Sequence, residues 1–154
     1  MINAIYDLLD KIGYAHPIHP ALTHLPIGFV AAAFFLGWAG LWSKRKWSLP
    51  CGYPLLVLTL IFWFPTVVFG YMDWQRYYGG ALLHPIVVKM VLAGVLLLLV
   101  VAGLVIGARD RADTPAMLVV YTLSLATVIA LGYFGGQLVY AGAAPAGKGQ
   151  SAGG

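Results

Sequence analysis

The chain has 154 residues, 61% of them hydrophobic and 9% charged, with nine Lys and Arg against five acids, every one an Asp. Soluble domains carry about 25% charged residues, so this chain cannot clothe a water-facing surface and an aqueous globular enzyme is excluded. The composition describes one integral membrane domain. A single cysteine, Cys51, excludes an internal disulfide, a CxxC metal or redox site and the CxxCH attachment of a c-type haem. The net charge of +4 comes without a basic run interleaved with aromatics, so nucleic acid is not an expected partner.

In chain order, residues 1–15 come first. Ile2, Ile5, Leu8, Leu9 and Ile12 share one helical face, with Asn3, Asp7, Asp10 and Lys11 elsewhere, the pattern of a short amphipathic helix at the membrane interface. Asp7, Asp10 and Lys11 interrupt the apolar core that a cleavable signal peptide needs. Residues 16–141 hold four apolar runs, with spans expected at about 21–43, 53–73, 85–108 and 115–140. Each is close to the roughly 20 residues that cross a hydrocarbon core of about 30 Å. Backbone groups in lipid must be satisfied within the segment, so the runs are helices, and short connections make successive helices antiparallel neighbours. The expected fold is all-α: an integral membrane up-down four-helix bundle with a short interfacial N-terminal helix. Residues 142–154, rich in Ala and Gly, read as a disordered tail.

Lys44, Arg45 and Lys46 follow the first span, and Arg109 and Arg111 follow the third; the other side has Lys11, Arg76 and Lys148. Positive charge is retained in the cytoplasm. This points to a multi-pass protein of the bacterial inner membrane with both termini in the periplasm.

Histidine carries the functional signal. His16, His19 and His24 open the first span and His84 opens the third, so all four collect at the outer end. There Asp73 closes the second span, and Gly132, Gly135, Gly136, Gln137 and Tyr140 finish the fourth. Pro20 and Pro85 suit the first helical position, which sets His24 one turn inside the first span and makes His84 the cap of the third. These two imidazoles, on different helices at comparable depth, suit the axial positions of a b-type haem. His16 and His19, interrupted by Pro17 and Pro20, are alternatives or ligands of a second haem. His19 and His24 diverge by about 140° on a regular helix and are not expected to share one ion. Gly28, Ala31, Gly132, Gly135 and Gly136 leave room for a macrocycle, although small residues in lipid also serve close helix packing.

Asp73 has two readings: it pairs with Arg76, or it orients an imidazole or takes a proton from a quinol. Lys89, in the second turn of the third span, snorkels to the headgroups or pairs with Asp73 or a haem propionate. With Gln137 these are the expected surroundings of the cofactor. The plainer role of the histidines is interfacial hydrogen bonding. Pro65 is expected to kink the second span. No Walker, Rossmann, HExxH or G-x-S-x-G motif occurs, and the apolar midplane offers no transport path.

The run His16-Pro-Ile-His19-Pro-Ala-Leu-Thr-His24-Leu-Pro26-Ile-Gly28, then Gly70-Tyr-Met-Asp73-Trp, His84 and Gly135-Gly136-Gln137-Leu-Val-Tyr140 resemble the signatures of a bacterial family of small four-helix membrane domains of unknown function. The resemblance covers nearly the whole chain. Members of that family occur alone or fused to Rieske-type iron–sulfur or cytochrome c domains, which implies membrane redox chemistry by analogy. Two positions depart from the family's pattern: Val88 stands where a polar residue is usual, with Lys89 next, and the neutral Gln137 stands where a charged residue is common.

The expected function is electron transfer: a subunit rather than a stand-alone enzyme, embedded in the lipid bilayer within a hetero-complex or oligomer. It would bind haem b through His24 and His84, with His19 and His16 as alternatives, and pass electrons between a quinol and a periplasmic or membrane cytochrome or iron–sulfur protein. One alternative is a non-haem site for Zn, Cu or Fe on His16, His19, His24 and Asp73. The other is a structural or assembly subunit without a cofactor.

Overall fold

The computed structural model describes residues 6–7, 11, 13, 16–43, 51–110 and 114–140, and its architecture is four helices: α1 (His19–Ser43), α2 (Gly52–Tyr78), α3 (His84–Asp110) and α4 (Pro115–Tyr140). No strand occurs among the described residues. All four helices are long and apolar enough to cross a membrane, over 24 to 27 residues each. At 1.5 Å per residue that is about 36–40 Å, more than the hydrocarbon core requires.

Side-chain contacts fix the up-down order. His19 near the start of α1 meets Thr66 and Gly70 late in α2, and Phe29 further along meets Phe62. Trp63 of α2 donates its indole N–H to the Ala93 carbonyl of α3 at 3.1 Å, while Tyr53 and Leu56, earlier in α2, pack over Gly107 and Gly103. Those glycines also face Met117 and Val120 of α4, and Lys89 at the other end of α3 faces Gly135. The ring closes where Trp38 of α1 donates to the Thr122 hydroxyl of α4. Helix α1 therefore neighbours α2 and α4, and α3 lies diagonally across from it.

The core runs down the middle as Val30, Ala33, Leu56, Leu96, Val100, Met117, Val120, Tyr121 and Val128. Close approach of the helices depends on a missing side chain at three glycines. Gly37 and Gly52 lie under the Tyr121 ring, and a Cβ on Gly103 would stand 2.6 Å from Leu56 and 2.9 Å from Val120. Phe35, Trp42, Leu98, Ile129 and Tyr133 are more than half exposed, as side chains facing lipid must be.

Helix α2 continues past the expected boundary at Asp73 to Tyr78. Gln75 and Arg76 remain helical, and the stop comes at Gly79, whose φ of 56° lets its N–H turn back to the Trp74 carbonyl. Asp73 therefore lies more than a turn inside α2 instead of closing it. The other ends shift less. The carbonyls of Ile18 and Leu83 accept the first helical N–H groups of α1 and α3, so His19 and His84 are the first helical residues, and His84 is not the cap. The expected N-terminal helix face (Ile2, Ile5, Leu8, Leu9, Ile12), the basic residues Lys44, Arg45, Lys46, Arg111 and Lys148, and the tail 142–154 lie outside the described residues.

Candidate functional site

The polar residues meet at the end of the bundle where α1 and α3 begin and α2 and α4 finish. Asp73, 6% exposed, stands at its centre. One carboxylate oxygen accepts the Tyr6 hydroxyl. The other accepts the backbone N–H of His19 at 2.8 Å, so α2 supplies from a distance the carboxylate that usually caps a helix start from within its own sequence. Among the described residues Asp73 is held by the Tyr6 hydroxyl and the His19 backbone N–H. Arg76 instead spreads its guanidinium over the Tyr6 ring, 4.7 Å from the centroid, with Asp7 at 3.8 Å. Tyr6 is 2% exposed and packs edge-on against Tyr77. Burial, reinforced by the bond to Asp73, pushes the Tyr6 phenol well above its ordinary range.

The anchored backbone carries the His19 imidazole into α2. Its Nδ1 lies 2.8 Å from the Thr66 carbonyl oxygen. A carbonyl can only accept, so Nδ1 carries the proton and Nε2 holds the lone pair. The ring rests on Gly70, where a Cβ would come within 2.8 Å of Nδ1, closer than real side chains approach. The glycine in Gly70-Tyr-Met-Asp73 makes room for His19, and the aspartate one turn later pins its backbone. Among the described residues no hydrogen bond engages Nε2.

Lys89 completes the group from α3. Its Nζ lies 3.7 Å from the position of a Cβ on Gly135, at the same end of the bundle as His19. The site therefore draws on all four helices: His19, Thr66 with Gly70 and Asp73, Lys89, and Gly135. Tyr6 closes over it.

The other expected residues stand apart from this group. His24 is exposed and donates Nδ1–H to the Pro20 carbonyl at 2.8 Å, along its own helix. His84 is exposed, with its ring edge-on to Phe134 at 6.4 Å between centroids. His24 and His84 sit on diagonal helices. His16 is exposed ahead of α1. Among the described residues no three His, Cys, Asp or Glu side chains come together as a metal-ion site, so His16, His19, His24 and Asp73 are not assembled as one ligand set. Gly136 and Gln137 are half-buried on α4. Gly28 and Gly132 have open space where a Cβ would stand, so they are not close-packing positions within this chain.

Sequence reasoning missed Tyr6, Thr66 and the role of Gly70. Thr66 contributes a backbone carbonyl, which leaves no trace in residue identity. Tyr6 lies on a segment 67 residues from its partner, and no local pattern announces such a pairing. Gly70 left a signal, since a glycine one turn before a buried acid in an otherwise bulky helix marks a close approach.

An imidazole held at Nδ1 by a backbone carbonyl, with Nε2 exposed to a ligand, is the arrangement that metal-binding histidines adopt. It equally suits a proton acceptor. No curated protein and no solved structure matches the chain. Residues 15–145, however, match the family described as "Predicted membrane protein (DUF2231)", and with four membrane-length helices over that same stretch the chain belongs to that membrane-protein family.

Proposed function

We propose that the chain is an electron-transfer subunit of a bacterial inner-membrane complex, with a b-type haem bound at the histidine end and that end, with both termini, on the periplasmic side. One observation carries the reading: His19 is fixed by Asp73, Thr66 and Gly70 with its Nε2 lone pair uncommitted, the state an axial ligand requires. The cofactor reading is further supported by His24, which is held by a carbonyl in the same way and so also keeps Nε2 available. His19 replaces His24 as the first candidate ligand. A second ligand would come from His24, His84 or His16.

When bound, the haem would supply reversible one-electron exchange between a quinol and a periplasmic cytochrome or iron–sulfur partner. The chain's own part is to hold the His19 ring at a fixed orientation. Asp73 keeps the start of α1 against α2, and the Tyr6 ring shields that carboxylate from water. The non-haem alternative has weaker support, because its four ligands are not assembled.

Absorbance spectra of the purified protein, air-oxidised and dithionite-reduced, with a pyridine haemochrome assay, test the reading. A Soret band and a sharp reduced α-band are expected, abolished or shifted in His19→Ala. Loss in His24→Ala and His84→Ala alone would move the ligands to the exposed imidazoles. A colourless protein from haem-replete cells would overturn the proposal.

A further inference from the structure

Lys89 lies inside a membrane span, in the second turn of α3, half-buried. Its ammonium reaches across to α4 beside Gly135. Among the described residues no carboxylate comes within ion-pair distance of it. Of the acids described at this end, Asp73 already takes the Tyr6 hydroxyl and the His19 N–H, and Asp7 faces Arg76.

A cation held in a span without a counter-charge is costly. Its own helix gives no relief, since the start of a helix carries partial positive charge and α3 has no acid in its first turn. Gly135 presents no side chain of its own to the ammonium. Among the described residues, what the arrangement lacks is an acceptor carrying negative charge.

We infer that Lys89, with its ammonium beside Gly135, binds one oxyanion, a carboxylate or phosphate carried by a membrane-embedded ligand. Two sources present that chemistry: the phosphate of an anionic phospholipid and the carboxylate of a bound haem. The second rests on the haem reading; the first does not.

The test uses the full chain, purified and delipidated in an uncharged detergent, as wild type, Lys89→Met and Lys89→Arg. In the lipid arm, native mass spectrometry and thermal melting are recorded with added phosphatidylglycerol or phosphatidylcholine. Wild type is expected to retain one phosphatidylglycerol with about a tenfold preference and to melt higher with it. Met at position 89 removes the preference, and Arg restores it. Without added lipid, Lys89→Met should melt no lower than wild type, which shows that it is folded. In the cofactor arm, haem is compared with its dimethyl ester. A preference of about tenfold for the free acid, absent in Lys89→Met, assigns the oxyanion to the cofactor.

A Lys89-dependent preference in either arm supports the inference and names the source. Wild type and Lys89→Met that are both folded and alike in both arms would overturn it. The two proposals fail separately. A protein that never binds haem but keeps the phosphatidylglycerol preference sinks the haem reading alone. Haem bound without regard to its carboxylates, and no lipid preference, sinks the oxyanion site alone.

Discussion

Asp73 accepts from two donors at the histidine end, and both belong to parts of the chain far from it in sequence. Removing the carboxylate strands the His19 N–H and the Tyr6 hydroxyl, at about 1–3 kcal/mol for each buried donor. Gly70→Ala should act on the neighbouring contact. Its methyl would meet His19 Nδ1 at 2.8 Å, so the imidazole must leave the Thr66 carbonyl, at a cost of about 1–3 kcal/mol. Thermal melting in detergent should fall, and any haem absorbance should fall with it; an unchanged protein would show that His19 does not sit on α2. Tyr6 offers a pH test. Burial and Asp73 raise its pKa above the ordinary phenol value of about 10, so the docked phenol stays protonated where the undocked one ionises. The contact's contribution is therefore whole below pH 10 and is lost as the pH rises through the docked residue's higher pKa. Tyrosinate absorbance of wild type minus Tyr6→Phe should show one phenol titrating above the ordinary range. An ordinary midpoint would mean that the N-terminal segment does not close over Asp73.

Between helices, glycine has two distinct uses. Gly37, Gly52, Gly103 and Gly107 admit Tyr121, Leu56, Val120 and Tyr53, whereas Gly28 and Gly132 look onto open space. Gly103→Ala should destabilise the α2–α3–α4 contact by about 1–3 kcal/mol. Gly132→Ala should be neutral or stabilise by up to about 1 kcal/mol, through helix propensity alone. Melting of the two variants side by side checks the contrast. If Gly132→Ala costs as much as Gly103→Ala, then α4 packs against another chain at that position. The same four helices show how far periodicity reaches. Apolar run length recovered every span, but α2 outlasts its run because Gln75 and Arg76 stay helical until Gly79 reverses the chain.

For the whole molecule, lipid is the missing partner of a surface that includes Trp42 at 81% exposed and Leu98 at 70%. Four spans with an even number of crossings put the α2–α3 connection and the start of α1 on one side of the membrane. Leu82, 68% exposed in that connection, allows the proposed orientation to be measured. In a Cys51→Ser background, Leu82→Cys should react with a membrane-impermeant maleimide added to the periplasmic side of intact cells. Labelling only after the cytoplasm is opened would invert the topology and place the histidine end inside.

Composition and run length determined the membrane class, the helix count and the gathering of His19, His24, His84, Asp73 and Lys89 at one end, because burial in lipid demands long apolar helices and short loops alternate their ends. They did not determine which of those residues face one another. A helical residue's direction depends on rotation about an axis, and α1 and α3 are apolar on every side, so no amphipathic stripe sets that rotation from the sequence. Tertiary packing set it. Gly70 admits His19 and turns it inward, while His24, five residues on, points along its own helix to the Pro20 carbonyl. That choice moved the candidate centre from the His24–His84 pair to His19 with Asp73, Tyr6 and Lys89. It was beyond reach of the sequence because the partners of His19 lie on other segments of the chain, and one of them, Thr66, contributes only its backbone.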